Sequence, residues 1–128
     1  MAATFSRREV LLSLAGASAL LLGRGHSGWA QQGVAAKEIK ETTSRIAGVP
    51  KVKLVEVTLQ PGAVMPTTKM DQAMICECTL GSLEVTQDDN RIVTMNQGDI
   101  WTCGVGTMEG VANKGNTAGI MRVFILVA

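Results

Sequence analysis

From Val52 to Val127 the chain is written in short runs whose apolar residues recur at about every second position, and each run ends in a cluster of Gly, Pro, Asn or Asp. Strand side chains alternate between two faces, so a period of two builds strands with one buried face and lays no stripe along a helix. The first run interleaves Val52, Leu54, Val57 and Leu59 with Lys51, Lys53, Glu56, Thr58 and Gln60, and stops at Pro61-Gly62. Met74, Cys76, Cys78 and Leu80 alternate with Ile75, Glu77 and Thr79, and Gly81-Ser82 turns the chain into Leu83-Glu84-Val85-Thr86. Gln87-Asp88-Asp89-Asn90 predicts a polar hairpin tip. A strand over 91–95, a turn at Asn96-Gln97-Gly98-Asp99 and a strand from Ile100 to Cys103 follow. Glycines 104, 106 and 110 interrupt the next segment, and Asn113-Lys114-Gly115-Asn116 marks a further turn. The last run, Ile120 to Val127, is almost wholly apolar and predicts a strand buried on both faces. With no helical pattern after residue 50, the expected fold class is all-β, a sandwich or barrel.

The N-terminus obeys a different logic. Ser6-Arg7-Arg8-Glu9-Val10-Leu11-Leu12 leads into an apolar run and then into the small-residue site Gly28-Trp29-Ala30, the pattern of a signal peptide over residues 1–30. Val10 to Leu22 is 13 residues, short of the roughly 20 that span a bilayer, so no permanent membrane anchor is expected. The paired arginines resemble the twin-arginine export signal, with Val10 where that signal prefers Phe, which leaves the general secretory route open. Export by either route predicts a periplasmic or otherwise exported protein, with the export machinery as a partner. Residues 31–50 are polar and mixed, from Val34-Ala35-Ala36 into Lys37, Glu38, Lys40 and Glu41, and read as an arm before a barrel over 51–128.

Removal of the leader changes what chemistry is available. It takes three of the 12 Lys and Arg and one of the 11 Asp and Glu, leaving nine against ten, nearly neutral. The remaining cations are scattered without the basic stripe that binds phosphates, so no nucleic-acid partner is expected. Cleavage after Ala30 also removes His26, the only histidine. Ser-His-Asp and Cys-His catalysis then lacks its imidazole. The 98 residues that remain bury little surface alone, which favours a homodimer.

The turn glycines fall into a frame that resembles the small cupins. That family carries G-x5-H-x-H-x3-E-x6-G and then G-x5-P-x-G-x2-H-x3-N. Here the first motif reads Gly62, Thr68, Met70, Met74, Gly81, and the second reads Gly98, Gly104, Gly106, Glu109, Asn113, every spacing kept. The resemblance covers roughly Val52 to Val127 and implies a single jelly-roll-like cupin barrel with a central pocket. Where the family holds its metal ligands His, His, Glu and His, this chain holds Thr68, Met70, Met74 and Glu109, and Gly104 replaces the motif proline. Neither the usual metal nor any other cofactor is therefore expected.

The resemblance implies that Thr68, Met70, Met74 and Glu109 converge on the barrel interior. There a buried Glu109 needs a donor such as the Thr68 hydroxyl, a backbone N–H or water. Trp101 either stacks on a ligand or packs in the core beside Phe124. Three cysteines remain, Cys76, Cys78 and Cys103, with no C-x-x-C motif. A Cys76–Cys78 bridge would span roughly 7 Å, at the outer limit, and Cys103 offers either one a second partner. Three reduced, buried thiols are expected. Since fold alone does not fix function, the expectation rests on the site: a non-catalytic binding protein for a small, largely apolar molecule, its pocket lined from among Thr68, Met70, Met74, Cys76, Trp101 and Glu109. The alternatives are copper handling by the Met and Cys sulfurs and a metal-independent enzyme acting through Glu109.

Overall fold

The computed structural model describes residues 32–88 and 90–128; the expected signal peptide lies outside them. Nine strands account for the regular structure among these residues: β1 Val34–Ile46, β2 Val49–Leu59, β3 Val64–Lys69, β4 Ala73–Leu80, β5 Ser82–Gln87, β6 Arg91–Asn96, β7 Ile100–Cys103, β8 Met108–Ala112 and β9 Gly119–Val127. Two antiparallel sheets form, β1-β2-β9-β4-β7 and β3-β8-β5-β6. Every expected strand after residue 50 is present, and the fold class is all-β.

Alternation decides which residues meet between the sheets. Val55, Val57 and Leu59 of β2, Met74, Cys76 and Cys78 of β4, and Met121, Val123 and Ile125 of β9 point inward, against Leu83, Val85 and Val111 of the second sheet. Packing this set removes enough apolar surface from water to drive the fold. The opposite parity faces out. Leu54, Phe124 and Ile75 lie side by side across three strands, with the Glu56–Arg122 ion pair, 3.2 Å, one step along.

Two sequence expectations change here. The final run is not buried on both faces: Phe124 is 36 % exposed and Arg122 is exposed, because an antiparallel sheet covered on one side leaves its other face to solvent. The segment read as an arm is largely the 13-residue strand β1, paired with β2 along its length through two register shifts. Its side chains are mostly exposed, and only Val34 and Ala36 pack on the core. An edge strand is held by backbone hydrogen bonds, which leave no apolar pattern to read.

Two features of the turn frame position the interior. Asn113 is buried; its Nδ2 donates to the Leu59 and Thr117 carbonyls at 2.9 and 2.8 Å, and its Oδ1 accepts the Gly115 N–H at 2.9 Å. That one side chain ties the β8–β9 turn to the end of β2. At Gly110 a Cβ would stand 2.7 Å from Thr67 Oγ1 and 3.1 Å from the Met65 carbonyl oxygen. The missing side chain lets β3 kink against β8 at the register shift between Met65 and Thr68, which sets Thr68 opposite Glu109.

Candidate functional site

Four strands deliver one polar cluster to the otherwise apolar interior. Glu109 on β8 is 7 % exposed, opposite Thr68 on one side and Gln87 on the other. On β7, Trp101 lies opposite Cys76 of β4, and Cys103 opposite Met74. Glu109 Oε1 accepts three hydrogen bonds: from the Cys103 thiol at 2.8 Å, Gln87 Nε2 at 3.0 Å and Trp101 Nε1 at 3.1 Å. Gln87 Nε2 also donates to the Thr102 carbonyl at 2.9 Å. A buried carboxylate must be paired, and these donors supply the pairing.

Burial pushes the Glu109 carboxyl above its usual range, and the three donors pull it part of the way back. The hydrogen bond with Cys103, burial and the nearby carboxylate all push the Cys76 thiol far up. A nucleophilic cysteine needs the opposite environment, so Cys76 is no thiolate catalyst. All three cysteines are free and buried, as expected. Cys78 points elsewhere, towards the Leu80 and Gly81 carbonyls at 3.6 and 3.5 Å.

Five of the six anticipated residues meet. Thr68, Met70, Met74, Cys76 and Glu109 line one interior cavity, together with Met65, Met121 and Val123. Methionine side chains fill most of that interior. The cavity that remains measures about 10 Å³, room for roughly one water molecule and too little for an organic ligand. The sixth, Trp101, belongs to the polar cluster and does not pack beside Phe124: it pairs with Cys76 on the inner face, whereas Phe124 pairs with Ile75 on the outer one. The donors to Glu109 also differ from those anticipated. Among the described residues the Thr68 hydroxyl makes no hydrogen bond to the Glu109 carboxylate, and Cys103, Gln87 and Trp101 do. Counting by twos from Leu83 and Val85 puts Gln87 on the inner face, and counting from Trp101 puts Cys103 there; the polar hairpin reading hid the first.

Trp101 also lines a second, larger space. Between the edge strands β6 and β7 a groove of about 390 Å³ is walled by Val85, Val93, Met95, Ile100 and Trp101, with Gln87, Arg91 and Thr102 as its polar groups. Among the described residues no carboxylate lies within ion-pair distance of Arg91.

The donor set at the family's metal positions is one hydroxyl, two thioethers and one carboxylate, and no histidine occurs among the described residues. That set does not fit an ion held by imidazoles. A different triad does converge: Cys76 Sγ, Cys103 Sγ and a Glu109 carboxylate oxygen all lie within 4.8 Å of one another.

No family model matches the sequence, and no curated protein matches it. Solved structures do match. The chain is similar to KdgF from a Halomonas species, at 18 % identity over 75 % of this chain and 81 % of that one, TM-score 0.62. It is similar to a RmlC-like cupin from Shewanella frigidimarina, at 16 % identity over 75 % and 78 %, TM-score 0.62. The polyketide cyclase RemF from Streptomyces resistomycificus matches at 14 % identity over 74 % of this chain and 66 % of that one, TM-score 0.62. At such identities the likeness shows the fold: the two sheets form the cupin barrel that the glycine frame implied.

Proposed function

We propose that the chain is an exported, non-catalytic binding protein for a small, largely apolar molecule bearing one anionic group. The observation that carries this reading is the groove between β6 and β7, whose roughly 390 Å³ suits a small organic ligand, against an interior with room for one water. Five of its eight lining residues are apolar, and the largely buried Trp101 ring borders it. Its single charged lining residue is Arg91, whose guanidinium matches a carboxylate in shape and sign. Glu109 points into the polar cluster instead, so nothing in the groove supplies an acid or base for catalysis. The signal-peptide pattern of residues 1–30 supports export.

The test titrates purified protein with octanoate, octanol and octylamine while following tryptophan emission, with Trp101→Phe as the control for the second tryptophan, Trp29. Octanoate is expected to bind about tenfold more tightly than octanol, and Arg91→Gln to remove that preference. Equal binding of all three would remove the anionic group from the reading. No binding of any would remove the groove.

A further inference from the structure

We infer that Cys76, Cys103 and Glu109 form a soft-metal site that takes one Cu(I) ion, beside the thioethers of Met70 and Met74. This goes beyond the groove reading and stands on other atoms. Donors about 2.3 Å from a shared ion lie roughly 3.8–4.0 Å apart; the three donor groups lie within 4.8 Å of one another, and the Cys103–Glu109 pair, 2.8 Å apart in its hydrogen bond, opens as the thiol proton leaves. They come from three strands: β4 and β7, paired in register within one sheet, and β8 in the facing sheet. A chance cluster on one loop would have no such constraint.

Three observations choose the ion. Cys76 and Glu109 open onto a cavity that has space for one small ion and whose lining includes the thioethers of Met65, Met70, Met74 and Met121. Mg2+ and Ca2+ require a shell of oxygens and retained waters, which this cavity lacks. Thiolates bind both Cu(I) and Zn2+, and the neighbouring thioethers of Met70 and Met74 suit the softer of the two, Cu(I). Thirdly, the polar partners of the triad are already in place. Gln87 and Trp101 both donate to Glu109 Oε1, and among the described residues no donor reaches Oε2, which leaves that oxygen without a competing partner. Such outer hydrogen bonds orient a ligand before the ion arrives. On binding, each thiol gives its proton to solvent as its Cu–S bond forms, with no change in oxidation state.

Reduced full-length protein, titrated anaerobically with Cu(I) against bathocuproine disulfonate, is expected to hold one ion per chain. Cys76→Ser and Cys103→Ser should each weaken it about 100-fold, and Gln87→Ala about tenfold. Cys78→Ser, whose thiol faces away, should leave the affinity within about twofold. X-ray absorption of the loaded wild-type protein should show a sulfur shell at about 2.3 Å, a readout independent of how the variants fold. Absence of sulfur from that shell, a loss equal in all three serine variants, or displacement of Cu(I) by equimolar Zn2+ would overturn the assignment. The octanoate titration is read separately, so failure of the groove leaves this result standing.

Discussion

At the scale of single residues, the decisive fact is that Glu109 accepts three hydrogen bonds on one oxygen inside an apolar barrel. Removing the acceptor strands the donors. Glu109→Leu roughly keeps the volume and suits the surrounding apolar interior, but leaves the Trp101 indole, the Gln87 amide and the Cys103 thiol without their partner. The expected loss is about 2–4 kcal/mol in urea unfolding, despite the removal of a buried carboxyl that is costly to desolvate. A neutral or stabilising effect would mean that the cluster is held by its surroundings and not by Glu109. The cluster was half legible in advance. Met74 and Cys76 could be placed on one inner face because strand parity is a local property. The offsets of Thr68, Met70 and Glu109 from turn glycines brought them to the same cavity. Cys103 and Gln87 were missed as partners because a thiol and an amide at strand ends read equally well as packing and as turn.

Strands show the same division. Alternation revealed β4, β5 and β7, where one face is buried and the other is not. It failed for β1, whose side chains bury little, and it misjudged β9, where apolar residues on the outer face imitate two-sided burial. The contact between β3 and β8 depends on a residue with no side chain at all. Gly110→Ala places a carbon where only 2.7 Å separates it from Thr67 Oγ1, so the strands must part or β3 must shift. A destabilisation of about 1–3 kcal/mol is expected by urea unfolding, opposite in sign to the usual small gain from Gly→Ala. Adding Thr67→Ala should restore part of it, since the Met65 carbonyl at 3.1 Å still crowds the site. Additive effects in the double variant would show that the threonine hydroxyl is not the obstruction.

At the scale of the whole molecule, the last strand of the chain is the middle of the larger sheet: β9 pairs with β2 on one side and β4 on the other. The five-stranded sheet therefore cannot assemble until residue 119 and those after it have been made. A topology this dependent on distant pairing folds slowly compared with local structure, and the proposed twin-arginine route would carry the chain only once that pairing is complete. Replacing Arg7 and Arg8 together with lysine is accordingly expected to leave folded protein in the cytosol, read by cell fractionation and protease resistance. Unchanged export would assign the proposed leader to the general secretory route. Trp101 has a further consequence at this scale. It is a party wall: its ring borders the groove while its N–H holds Glu109. A guest on one side that tilts the indole changes the donors on the other, and thermodynamic reciprocity makes the two effects equal in free energy. The barrel's two compartments are thus neighbours that can feel each other through a single side chain.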